Sequence, residues 1–227
     1  MRYSLSIISI LVFSSLSAQK KGQSIAGQKW SASFTGAFIS LPQFNMGIQP
    51  GVEYRFNERF SLLTETTIRI GRKTDPDSNT INKQYFRVQP ELRYFSKKKR
   101  QGRENYTGLR LSWANRRFEN KNGLYLFNHQ TDSGYRYDRA KINSPVVTVS
   151  LQAGTVFRLG NSMGLDFFMG MGARFINTDY TDVVNPVKTS RVRAPDGPHF
   201  DASYDAEGNV TWFHFNTGFR FIYHFRQ

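Results

Sequence analysis

Cysteine is absent from the 227 residues, which excludes disulfides and thiolate metal centres and leaves strand pairing and packing to hold the fold. Acidic residues are scarce, 17 against 31 Lys and Arg, giving a formal charge of +14. That balance favours anionic neighbours without choosing among lipopolysaccharide, phospholipid headgroups and nucleic acid. Long apolar runs are missing too: beyond the N-terminus no stretch approaches the ~20 residues a transmembrane helix needs. Mean hydropathy is accordingly low, −0.51. Aromatic residues are nonetheless abundant at 15%, with Phe 20 and Tyr 11. A chain of strands that place one apolar residue outward for each polar residue inward reconciles the two, because such segments average to mediocre hydropathy.

The N-terminus reads Met1, Arg2, Tyr3, an apolar run from Leu5 to Leu16 broken only by serines, then Ser17, Ala18 and Gln19. A basic start, a short apolar stretch and a small-residue exit are the order of a secretory leader. This predicts a cleaved signal peptide at 1–18, a short N-terminal periplasmic segment at 19–29, and one β domain over 30–227.

Period-two alternation dominates the rest of the chain, and is clearest at the C-terminus. Phe213, Phe215, Phe219, Phe221, Tyr223 and Phe225 fill the odd positions except Thr217, interleaved with His214, Asn216, Gly218, Arg220, Ile222 and His224. Side chains alternate faces along a strand, so one face here is almost wholly aromatic. Val52, Tyr54 and Phe56 alternate with Gly51, Glu53 and Arg55; a tight turn at Asn57, Glu58 and Arg59 comes next; Leu62, Thr64 and Thr66 then oppose Ser61, Glu65 and Arg69. Phe86, Val88, Leu92 and Tyr94 alternate with Arg87, Gln89, Glu91 and Arg93 around Pro90, which cannot donate to a ladder and predicts a bulge or a local gap. Leu109, Leu111 and Trp113, then Val147, Val149 and Leu151, then Leu165, Phe167, Met169 and Met171 continue the pattern.

With Trp30 to Phe38 and Val210 to Phe225 the count reaches eight strands, the smallest bacterial barrel. Links alternate between short ones near 57–59, 97–105 and 159–164 and long ones over 71–84, 119–142 and 177–209. Short periplasmic turns facing longer outer loops are the membrane-barrel arrangement. The fold expected is therefore all-β, an eight-stranded antiparallel up-and-down transmembrane β-barrel, with both termini on the periplasmic side and the outer membrane as its location.

Several segments are familiar. GVEYRFNERFSL at 51–62, VQPELRYF at 88–95, the glycine-rich FFMGMGARF at 167–175 and the closing aromatic strand resemble small outer-membrane barrels of Bacteroidetes-type bacteria. More broadly, the plan is similar to OmpA-type and OmpX-type barrels. The resemblance implies fold and location, and brings no agreed biochemical activity. The last strand also resembles the signature read by barrel-assembly machinery, carried by Phe219, Phe221, Tyr223 and Phe225, with the departure that Arg226 and Gln227 follow the final aromatic.

If the apolar faces look outward, the lumen collects Glu53, Arg55, Glu65, Arg69, Arg87 and Glu91, together with Arg93, Arg110, Asp166, Arg174 and Arg220. Opposite charges inside so narrow a barrel should pair, because an unpaired buried ion costs several kcal/mol. Eight strands leave room for side chains or one small ligand. The expectation is a non-enzymatic protein with a salt-bridged, side-chain-filled lumen, acting structurally or through its outer loops. Its partners would be outer-membrane lipid and lipopolysaccharide, with assembly machinery during insertion; a monomer is expected, and no nucleic acid.

Two alternatives remain open. Some eight-stranded barrels that deacylate lipid A carry a histidine and a serine two residues apart; His214 has that spacing to Asn216, which cannot serve as a hydroxyl nucleophile. A soluble lipocalin-like carrier would turn the aromatic face inward. No catalytic residue or cofactor is assigned. The histidines at 129, 199, 214 and 224 lack ligand spacing, so no metal site is expected. The basic run at 97–103 has no interleaved aromatics, as a nucleic-acid groove would want, and would instead meet anionic headgroups or solvent.

Overall fold

Alternating side chains and the near absence of helix-period patterning become a continuous antiparallel sheet in the computed structural model, which describes residues 29–41, 49–68, 80–96, 102–126, 134–159, 162–189 and 207–225. The leader expected at 1–18, most of the segment at 19–29, Arg69 and the basic residues 97–101 lie outside these.

The described residues form ten strand segments: β1 (Lys29–Leu41), β2 (Gln49–Arg55), β3 (Phe60–Ile68), β4 (Thr80–Phe95), β5 (Arg103–Leu126), β6 (Gly134–Asn143), β7 (Val146–Leu159), β8 (Met163–Val184), β9 (Val187–Thr189) and β10 (Gly208–His224). Neighbours pair in the order β1-β2-β3-β4-β5-β7-β8-β10, and β10 returns to β1, closing the sheet into a ring without edges around that circuit. Closure gives each of the eight strands of that circuit a partner on both sides, which suits a chain lacking cross-links.

The segmentation differs from the eight strands read in the sequence for a local reason. β6 and β7 lie along β5 in one uninterrupted register, from Leu126↔Gly134 through Arg117↔Asn143 to Ala114↔Val146 and Arg103↔Phe157. Only Ser144 and Pro145 separate them, and proline has no N–H to give the ladder. β8 and β9 likewise follow each other along β6, divided at Asn185 and Pro186. Asp182 and Asn185 adopt φ of 51° and 53°, a left-handed conformation that short polar side chains tolerate.

The stretches 119–142 and 177–209, expected as loops, are thus partly strand: β5 runs to Leu126, β6 covers 134–143, and β8 and β9 reach Thr189. Their polar outward residues weaken the alternation signal that marks the rest of the sheet. Pro90 does interrupt its ladder: β4 pairs with β5 at Val88↔Trp113 and resumes at Glu91↔Arg110 in the same register. β1 bulges between Thr35 and Ala37.

Glycines admit large interior groups at close range. A Cβ at Gly154 would overlap the Tyr106 ring, and one at Gly172 would strike the β7 backbone at Val149 and Ser150. While Leu63, Ala140, Ile142 and Phe168 are buried outside them, two small clusters of buried apolar residues form among the described residues. One lies at the short-turn end, Phe95, Tyr106, Val156 and Ile222; the other lies higher, Ala114, Val146 and Ile176.

Candidate functional site

Facing is the reverse of a soluble protein. Leu151 is 67% exposed, Phe213 66% and Met171 60%, whereas Arg93, Arg220, Glu91 and Asp166 are all 0% exposed. Outward residues of β8 stay apolar from Met163 to Phe175, the small Ala173 included, and then turn to Asn177, Asp179 and Thr181. At about 3.3 Å per residue and a tilt near 40°, that belt projects to roughly 30 Å. On β5 the outward apolar residues end at Trp113, and Asn115 and Arg117 follow. Aromatic pairs border the belt near the short turns: Trp30 with Tyr54 at 4.6 Å between ring centroids, Phe60 with Tyr94 at 5.2 Å, and Tyr223 with Phe225 at 5.5 Å. At the other border Phe86 meets Trp113 at 6.2 Å.

Inside, the strands' other faces bring together residues far apart in sequence. Arg220 on β10 donates from Nε to Glu65 Oε1 at 2.9 Å, from Nη1 to Asp166 Oδ2 at 2.7 Å and from Nη2 to Glu91 Oε2 at 3.2 Å. Arg93 on β4 donates from Nε to Glu91 Oε1 at 2.9 Å and from Nη2 to Asp166 Oδ2 at 3.0 Å, with Glu53 3.4 Å from Nη1. Arg110 on β5 bonds Glu91 through Nε at 2.8 Å and through Nη2, and approaches Glu65 at 3.9 Å. Three guanidiniums and four carboxylates thus interlock, and the planar fork of arginine suits such bidentate pairing.

Aromatic groups complete the cluster. The Tyr106 hydroxyl donates to Asp166 at 3.1 Å, and Arg93 lies 4.5 Å from the Tyr106 ring centre. Phe168 lies under Arg220 at 3.9 Å and Arg110 at 5.0 Å, distances at which a ring face attracts a cation. Thr35 donates to Glu65 at 2.7 Å, and Ser61 to Glu53.

Above and below, the character changes. Toward the short turns Arg55 and Arg158 both bond Glu104, at 3.0 and 3.1 Å. On the other side lies an amide layer: Gln152 and Asn216 exchange reciprocal bonds of 3.1 and 3.2 Å, and Gln89 donates to Gln49 at 3.2 Å. Beyond it Arg87 donates to Ser112 at 2.9 Å, Arg116 to the Ser144 carbonyl at 3.1 Å, and Arg174 lies 3.2 Å from His214 Nδ1.

Of the lumen residues expected from the sequence, Glu53, Glu65, Glu91, Arg93, Arg110, Asp166 and Arg220 form the central cluster. Arg55 pairs below it, Arg87 and Arg174 sit above it, and Arg69 lies outside the described residues. Phe219, Phe221 and Tyr223 lie on the outward side of β10, the first two rings 5.8 Å apart, and Phe225 follows just past the strand's end, exposed. His214 and Asn216 are both buried, the first beside Arg174 and the second held by Gln152.

Tyr106, Glu104, Arg116 and Phe168 are not singled out by the sequence. The first three share the parity of Arg110 on β5, and extending that strand at both ends would find them. Phe168 sits in the run FFMG, where the parity it shares with Asp166 and Arg174 on β8 marks it, rather than Phe167, as the inward aromatic.

No protein-family model matches the chain, and no curated protein does. Among solved structures it is similar to Neisserial surface protein A, at 13% identity and a TM-score of 0.38 over 87% of this chain and 96% of that one. It is similar to Acinetobacter baumannii CarO at 12% and 0.38, over 88% and 99%. A major outer membrane protein from Thermus thermophilus also gives 12% and 0.38, over 88% and 100%. At such scores the strand pairing of this chain itself carries the assignment of a closed all-β ring.

Proposed function

We propose that this chain is an outer-membrane barrel whose lumen is closed by the ion cluster, serving the envelope as a non-enzymatic structural or loop-presenting protein. The observation that carries the reading is the inversion of faces: a belt of exposed Leu, Met, Phe and Val encloses fully buried Arg, Glu and Asp. In water such a belt would drive aggregation; in a bilayer it matches a hydrocarbon layer of about 30 Å, with aromatic residues at its borders. Three arginines and four carboxylates bound to one another across the lumen occupy the space a channel would need.

The short turns then face the periplasm, and the polar extension formed by the upper parts of β5, β6, β8 and β9 faces outward. The aromatic side of β10 would serve recognition during assembly. A lipocalin-like carrier would need an apolar interior, and the interior here is ionic. For a hydrolase, Asn216 in place of a hydroxyl offers no nucleophile.

Fractionation tests the reading. The expressed protein should partition with outer membranes, require detergent for extraction, and migrate faster on gels before boiling than after. Recovery as a monodisperse soluble monomer without detergent would overturn it.

A further inference from the structure

We propose that the border of the apolar belt beside the short turns carries a headgroup site for an anionic, amine-free glycerophospholipid, formed by Arg103, Asn105 and Thr107 on β5 and Thr155 on β7. The proposal rests on the reading of the chain as a membrane barrel, and names the lipid that this part of its wall selects. The four residues are contiguous on the outward face: Asn105 stands opposite Thr155, Arg103 opposite Phe157 and Thr107 opposite Ala153. Further along β5 the outward positions become Leu109, Leu111 and Trp113. The polar group thus sits between the turn at Gly102 and the start of the belt on this strand.

Asn105 holds the group together. Its Oδ1 accepts from Arg103 Nε at 3.2 Å and from Thr155 Oγ1 at 2.9 Å. The guanidinium so placed lies 5.5 Å from the Phe157 ring centre, and its two terminal nitrogens bond no group among the described residues. With the Asn105 amide and the Thr107 hydroxyl they make a set of donors that suits the oxygens of a phosphodiester. No carboxylate stands among the outward residues of β7, or among those of β5 from Arg103 to Trp113. Glu104 turns inward and is buried, with its two oxygens bonded to Arg55 and Arg158. An ammonium headgroup would therefore meet the charge of Arg103 with no acid to receive it, whereas an amine-free anionic headgroup meets only donors.

Aromatic rings frame the group. Tyr94 of β4 shares the rung of Thr107, and Phe157 packs edge-on with Phe167 of β8 at 5.9 Å between centroids, all three rings being exposed. They offer the glycerol and the first acyl carbons an apolar bed beside the donors, at the level where such barrels carry aromatic girdles. A free phosphate ion could make no use of that bed.

The test uses the folded full barrel in a maltoside detergent, titrated with short-chain phosphatidylglycerol or phosphatidylethanolamine, with native mass spectrometry resolving the adduct of one lipid. One arginine beside anionic lipid corresponds to about fivefold in affinity, so phosphatidylglycerol should bind about fivefold more tightly. Folded Arg103→Gln should bind the two lipids alike. Arg117→Gln, beyond the other border of the belt, should keep the parent's preference.

Equal affinity of the parent for the two lipids, or an undiminished preference in folded Arg103→Gln, would overturn the site and leave the barrel reading intact. Displacement of phosphatidylglycerol by inorganic phosphate, at an ionic strength matched with chloride, would overturn the assignment of a lipid as occupant. Failure of the parent to insert into phosphatidylcholine vesicles, with or without phosphatidylglycerol, would overturn the barrel reading and the site with it.

Discussion

Glu91 is the residue on which the central cluster converges, since Arg93, Arg110 and Arg220 all bond its two oxygens. Replacing it with Gln keeps the shape but removes the charge that holds three buried cations together. Breaking a buried pair from one side leaves the other ion uncompensated, at a cost of about 3–5 kcal/mol. We therefore expect Glu91→Gln to lower the urea unfolding free energy in lipid vesicles by that order. A loss below about 1 kcal/mol would mean that water, not Glu91, solvates those arginines. Lys141 and Asp182 present the contrasting case, 2.6 Å apart and exposed on the polar extension. The hydrogen bond and charge of Lys141 hold Asp182 below the ordinary carboxylate range. What this pair contributes is present above that range and disappears as pH falls through the lowered value. Salt screens so exposed a pair, so Lys141→Gln should leave the unfolding midpoint unchanged at about 0.15 M salt.

Individual strands carry two environments along their length as well as across their faces. The outward residues of β5 pass from Leu109, Leu111 and Trp113 to Asn115 and Arg117, and those of β7 run from Val147 through Leu151 to Leu159. In a bilayer an outward Arg costs about 2–4 kcal/mol at mid-depth and about 0–1 near the border. Leu151→Arg should accordingly lose the larger amount in vesicle refolding titrations, while Asn115→Arg should lose almost nothing. Equal costs at the two positions would contradict the belt's placement. For β10, truncating Phe221 and Tyr223 to Ala should reduce insertion by the assembly machinery in cells more than it reduces stability of the refolded barrel. Parallel losses in both measurements would assign the aromatic face to packing alone.

At the scale of the whole molecule, closure and filling act together. The ring leaves no free edge along its main circuit, and the ion cluster spans the space between β2, β3, β4, β5, β8 and β10. Planar-bilayer recordings should thus show no porin-scale conductance steps, and sugar-loaded vesicles bearing the barrel should not swell. Stable large conductance from folded protein would show that the cluster opens.

Strand identity and the grouping of residues into two faces are readable from period two alone, because a β-strand assigns alternate side chains to opposite sides whatever surrounds it. Glu53, Glu65, Glu91, Arg93 and Arg110 take their places on shared faces in this way. Where outward residues turn polar, as from Asn115 to Lys121 and from Asn177 to Asp182, the period loses contrast, and the strands there leave no mark in the pattern. Partner choice is beyond the sequence altogether. Arg220 meets Glu65, Glu91 and Asp166 only because β10 returns to β1 with a particular stagger, and closure, unlike alternation, is set by all the strands together. The same holds for Arg87, Arg116 and Arg174: their charge is written in the chain, but their convergence on one cavity belongs to the ring.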